Sequence, residues 1–500
     1  MNIKEAKIEI ANTLKAYLAR DEYGNYLIPS IRQRPVLLMG PPGIGKTQIM
    51  EQIARENGVG LVSYTITHHT RQSAVGLPFI ETRTFAGKEY RVTEYTMSEI
   101  LASVHQLMER TGLHEGILFL DEINCVSETL SPMLLQFLQC KTFGNQALPE
   151  GWLIVAAGNP PEYNKSVRDF DVVTLDRVRR MDVAEDFAVW KEYAQQKGLH
   201  GAVISYLDIK KDCFYRMETT ADGLQFATAR GWEDLSELLY AYESLGLQVD
   251  RTVVGEYIQL PRIAKDFANY LQLYYKYQKT YHVDDILNGS WQKITASEFR
   301  AAPFDEKISV MGLLLSRLGE ASRALRRQDA VTEYLHEALT AFKSRVSSEP
   351  PQAVLTDLIE KQQDALRVAK EAGHLDPETR QLRQRTLTAL EPYLVALRDG
   401  GVTDGETAME TVRSRFGEIV TAQETAAAET GSLFDNSFAF LETAAGEGQE
   451  LVLFVTELTA GYDTSWFLET YGCEAYFRYN KELLFDETHA RILREIQDSI

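Results

Sequence analysis

The stretch Gly40-Pro41-Pro42-Gly43-Ile44-Gly45-Lys46-Thr47 constrains this chain more than any other, because it fits G-x-x-x-x-G-K-[ST] and stands in the setting that pattern requires. PVLLM directly before it reads as an apolar strand, and KTQIMEQIARENG directly after it reads as an amphipathic helix ending at Gly58. Glycines let successive backbone N–H groups turn inward around phosphate oxygens. Lys46 then neutralises the outer phosphates, and Thr47 offers a hydroxyl to Mg²⁺, with Gln48 beside it in the first helical turn. A helix starting at Lys46 adds the positive end of its dipole.

Up to about residue 185, short apolar runs (PVLLMG, GLVSYTI, GILFLDE, GWLIVAAGNP) alternate with longer mixed stretches. That alternation predicts an α/β layer with a largely parallel sheet. The run Gly116 to Leu120 ends in Asp121 and Glu122, and a strand buried on both faces can carry charge only at its end. The carboxyl ends of such strands are where a ligand sits. Asp121 is expected to orient Mg²⁺ and its water, and Glu122 to polarise the water that attacks the terminal phosphate. The next strand, Trp152 to Ala157, ends in Gly158-Asn159-Pro160-Pro161. The Asn159 amide is placed to bond both that water and the phosphate, although Asn-Pro is also a good turn.

From about Ala184 the spacing of apolar residues becomes helical, and from about residue 286 the chain is rich in Ala, Leu, Glu, Arg and Gln with breaks at SSEPP and DGGVTDGE. The expected domains are therefore 1–184, an α/β nucleotide-binding core; 185–285, a helical lid; and 286–500, a mostly helical acidic region. The 500 residues carry 52 Lys plus Arg against 72 Asp plus Glu, a net charge of −20, which counts against gripping nucleic acid over a broad surface. Residues 401–500 hold 6 basic and 19 acidic side chains, so −13 of the charge lies there. Such a tail is either a set of solvated helix faces or an acidic face that docks a partner. Four scattered cysteines fit a reducing compartment, no apolar run suits membrane insertion, and the amino terminus reads as an amphipathic helix, so a cytoplasmic location is expected.

Phosphate loop, acid pair and strand-terminal Asn, in that order, resemble the AAA+ superfamily. The hairpin signal about Gly144 before the Asn159 strand, and an insert at residues 74–101 with a hairpin about Gly87, resemble its MoxR-like, dynein-related branch. The resemblance implies a P-loop AAA+ core with a parallel sheet flanked by helices, an all-α lid, and ATP with Mg²⁺ as ligands. It also implies a ring of identical subunits, expected to be a hexamer, that remodels a protein partner, such as one bearing a von Willebrand factor A domain. In Leu175-Asp176-Arg177 it assigns Arg177 as a finger toward the neighbouring subunit, with Arg179 and Arg180 as alternatives. In Ala229-Arg230-Gly231-Trp232 it assigns Arg230 as the lid arginine that reaches the terminal phosphate. The alternative function is a nucleic-acid-dependent motor related to GTP-using restriction subunits. A nucleotide-gated scaffold with little turnover is a third reading, weakened by the intact Lys46, Asp121, Glu122 and Asn159.

Other features read more plainly. His68-His69-Thr70-Arg71 lacks a third ligand at a useful spacing and reads as a solvent-facing loop. Cys125 and Cys140 read as small core residues. The string from Tyr270 to Tyr277 reads as the packing face of a lid helix, and the apolar segment from Leu451 as packed helical core.

Overall fold

The computed structural model describes residues 1–481 apart from 69–71, 73–75, 128, 164–169, 221–222, 372, 374 and 447. The chain divides into two compact units: residues 1–186 with 363–380, and the remainder.

In the first unit five parallel strands stand in the order β2-β5-β8-β1-β9, where β1 is Val36–Met39, β2 Gly60–Thr65, β5 Gly116–Asp121, β8 Trp152–Gly158 and β9 Arg179–Asp182. Along β5, Ile117 and Phe119 join Val36, Leu38, Leu153 and Val155 on one face, where helices Ile3–Leu18 and Lys46–Glu56 pack through Ile10, Leu14, Ile49 and Ile53. Leu118 and Leu120 join Leu37 and Ile154 on the other, covered by Leu101, Val104 and Leu107 of helix Glu99–Thr111 and by Leu134 and Phe137 of helix Ser131–Cys140. Both faces are dry, which is why these strands read as continuous apolar runs. The helix Ile3–Leu18 starts with a capping box, Asn2 and Glu5 each bonding the other's backbone N–H.

The register decides where the site falls. β8 lies between β5 and β1, pairing Leu120 with Ala156 on one side and Met39 with Gly158 on the other. Asn159 therefore leaves the sheet between the loop that follows β1 and the acids that end β5. The two hairpins expected from the sequence are present: β3 (Pro78–Phe85) pairs with β4 (Lys88–Tyr95), and β6 (Thr142–Phe143) with β7 (Gln146–Ala147). The first turns at Ala86 and Gly87, both with positive φ.

In the second unit, the helices between residues 187 and 301, the first half of helix Phe304–Arg345 and the helical segments from Ala427 onward share one hydrophobic cluster, so Trp232, Phe267 and Ile286 belong to the same core as Leu314, Phe438 and Phe454. The 42-residue helix Phe304–Arg345 runs out of this cluster into a second one, where Leu335, Leu339 and Phe342 meet Val354, Leu390, Tyr393 and Val412. The segment following Ala184 also holds a two-stranded hairpin, β10 (Arg216–Thr220) and β11 (Gly223–Ala227), which its helical texture does not reveal. On helix Pro261–Thr280 the packing face is Ile263, Phe267, Leu271 and Tyr274, while Leu273 is exposed. Cys140 is exposed at the end of its helix and Cys125 only half-buried, so neither is a core residue as expected from their type. No helix among the described residues is long and apolar enough to cross a membrane.

Candidate nucleotide site

The loop from Gly40 to Gly45 turns through positive φ at Gly43 (77°) and Gly45 (91°), conformations that a Cβ would strain. Gly45 is the N-cap of helix Lys46–Glu56 and, having no side chain, cannot itself cap the N–H groups of the first turn, which holds Lys46, Thr47 and Gln48. Such a turn is suited to phosphate oxygens.

Lys46 is only 8% exposed. Its ammonium donates to the carbonyls of Gly40 and Pro41, both at 2.8 Å, and to Asn159 Oδ1 at 2.9 Å. These contacts hold a buried cation at the mouth of the loop, in reach of any anionic acceptor that enters it. Thr47 Oγ1 donates to Asp121 Oδ2 at 3.1 Å, so the hydroxyl and the carboxylate expected to share Mg²⁺ already meet. That pairing of hard oxygen donors fits Mg²⁺, which keeps several waters and needs few protein ligands. Ile44, Pro41 and Pro42 contribute backbone to the loop and no charged group.

Glu122 has φ +58°, an unusual conformation for a residue with a side chain. Its N–H donates to Asp121 Oδ1 at 2.9 Å, and its carboxylate accepts from Thr67 Oγ1 at 2.7 Å. Thr67 and Asn124 escaped the sequence reading. Asn124 Nδ2 donates to the Asn159 carbonyl at 2.8 Å, and the Asn159 N–H donates back to Asn124 Oδ1 at 3.3 Å. The signal for Thr67 was available: in a parallel sheet every strand's carboxyl end faces the site, and residues 66–68 follow β2 directly. Of the histidine run, His68 closes a short 3₁₀ turn, and His69 to Arg71 lie outside the described residues.

The three candidate finger arginines differ in what holds them. Arg179 bonds Glu9 and Thr13 of the first helix, and Arg180 pairs with Asp182 at 2.8 Å. Arg177 donates to the neutral amide of Gln139 on the exposed surface. Nearby, Thr174 hydrogen bonds hold the Asp171 carboxyl below its usual range, with the Arg177 charge adding to the effect. Arg230 belongs to the second unit, exposed in the first turn of helix Ala229–Leu245, which Thr228 caps through the Gly231 N–H.

Phosphate loop, carboxylate pair and amide at the ends of three adjacent parallel strands define a nucleoside-triphosphate-binding α/β domain. Residues 36–174 match the family model described as ATPase family associated with various cellular activities (AAA). The chain thus carries an ATPase domain of the AAA+ type, and the match takes in Lys46, Thr47, Asp121, Glu122 and Asn159 but stops short of Arg177 and Arg230. No curated protein matches the chain.

Proposed function

We propose that the protein is an Mg²⁺-dependent ATPase of the MoxR-like branch that assembles as a ring and uses hydrolysis to remodel or activate a protein partner. The observation that carries the hydrolytic reading is the Lys46 ammonium bonded to Asn159, with Thr47 on Asp121 and Glu122 adjacent. On this reading the loop N–H groups and Lys46 bind the β and γ phosphates, and Asn159 orients the attacking water. Glu122 accepts that water's proton once its carboxylate leaves Thr67. Thr47 and Asp121 would hold Mg²⁺, whose chemistry there would be neutralisation of phosphate charge.

Ring assembly rests on Arg177. Arg179 and Arg180 are paired with carboxylates of their own unit, whereas Arg177 donates to the neutral amide of Gln139, with the Asp171 carboxylate near enough to feel its charge, and can exchange that amide for a neighbour's phosphate. The two hairpins within the first unit, Pro78–Tyr95 and Thr142–Ala147, support the branch. Arg230 is assigned the lid role by its place at the start of helix Ala229–Leu245.

The test is complementation. Arg177→Ala should bind ATP and lose turnover, and mixing it with Lys46→Ala subunits should restore part of the activity, because wherever the Arg177→Ala subunit supplies the loop and a Lys46→Ala neighbour the finger, both are intact. No rescue in mixed assemblies of confirmed size would remove the trans role.

A further inference from the structure

Asn124 lies three residues beyond Asp121, in the turn that Glu122 opens, and is 4% exposed. Its amide reads both backbone groups of Asn159: Nδ2 donates to the carbonyl and Oδ1 accepts from the N–H. This continues the β5–β8 ladder, which ends at Leu120 opposite Ala156, with a side chain in place of a strand. The same turn is fastened to β8 by the Ile123 N–H on the Ala157 carbonyl at 2.9 Å.

Geometry makes the position demanding. A Cβ on residue 158 would stand 2.6 Å from Asn124 Oδ1, so Gly158 and Asn124 fit only as a pair. An aspartate could accept from the Asn159 N–H but would turn a carboxylate oxygen on the Asn159 carbonyl. Serine and threonine cannot span donor and acceptor at once.

We propose that Asn124 is a positioning residue for hydrolysis: by fixing the Asn159 backbone against the turn that carries Glu122, it sets the Asn159 amide on Lys46 and on the water that Glu122 activates. The role rests on the hydrolytic reading above. It acts on the chemical step rather than on ATP affinity, because the loop and Lys46 hold the phosphates through other atoms. Misplacing a group that orients the nucleophile lowers the rate by about 10- to 100-fold.

Steady-state ATP hydrolysis by the full chain tests this with Asn124→Ala, Asn124→Asp, Asn159→Ala and the Asn124→Ala/Asn159→Ala double variant. Both Asn124 variants should lose about 10- to 100-fold in kcat with KM for ATP within about threefold of wild type. Asn124→Asp conserves volume, so a loss there is not a loss of packing. In the Asn159→Ala background Asn124→Ala should cost less than about twofold more, since the residue acts through Asn159. Losses that multiply in the double variant, a raised KM with unchanged kcat, or wild-type kcat in Asn124→Asp would overturn the role. A wild-type chain without turnover would overturn the hydrolytic reading itself, and this role with it.

Discussion

Glu122 combines an assigned chemical task with a backbone conformation that suits glycine, and the two can be separated by replacing it with Ala and with Gly. Both replacements remove the carboxylate and its bond from Thr67, so that loss cancels between them. What differs is the Cβ at φ +58°. A left-handed conformation costs a residue with a Cβ about 1–2 kcal/mol. Against this, glycine loses about 0.5–1 kcal/mol more chain entropy on folding. Glu122→Gly should therefore be more stable than Glu122→Ala by roughly 1 kcal/mol, the reverse of the order at an ordinary helix or strand position. The assay is thermal unfolding, read at the transition that ATP shifts upward, which marks the nucleotide-binding unit. For a unit of this size the gap amounts to about 2–4 °C. Both variants should bind ATP and fail to turn it over. An Ala variant that melts at or above the Gly variant would show that residue 122 carries no such strain.

Two further outcomes follow from other buried charges. Asp463, 2% exposed, accepts from Arg323 Nε at 2.7 Å and Arg326 Nε at 2.8 Å, so Asp463→Asn should destabilise the helical unit by about 3–5 kcal/mol, and a melting point within error of wild type would refute this. Lys141, 7% exposed, has its ammonium pushed down from 10.5 to about 8 by burial. Because the folded chain resists the proton that the unfolded chain holds, the penalty is full below about pH 8 and fades as pH rises toward 10.5. Lys141→Met should then stabilise the first unit by on the order of 2 kcal/mol at pH 7, an advantage that shrinks on alkaline titration. An advantage that stays constant with pH would contradict the charge origin.

The phosphate loop, the strand-end acids and the strand-end Asn were legible because each is a local pattern: an apolar run, then a polar group where the run stops. Thr67 on Glu122 and Asn124 on Asn159 were not, because those pairs are brought together by the β2-β5-β8 order across 55 and 35 residues. The β10–β11 hairpin was missed because its strands, RMETT and GLQFA, are short and mostly half-exposed, with no long apolar alternation to mark them. The acidic carboxyl-terminal region shows the same limit in its charges. Its net charge could be counted, but not that Glu457 meets Lys191, Glu450 meets Lys307 and Asp463 meets Arg323 and Arg326. Those carboxylates fasten helices to one another inside the unit, so a docking face for a partner must be built from the remaining acids.

The central claim is that Lys46, Thr47, Asp121, Glu122 and Asn159 form one ATP-hydrolysing site, and it is tested most directly by measuring ATP binding and turnover side by side for wild type, Lys46→Ala and Glu122→Gln in the presence of Mg²⁺. Wild type should bind and hydrolyse ATP, Lys46→Ala should lose binding, and Glu122→Gln should bind ATP yet retain it unhydrolysed. Turnover by Glu122→Gln at the wild-type rate, or undiminished binding by Lys46→Ala, would contradict the claim.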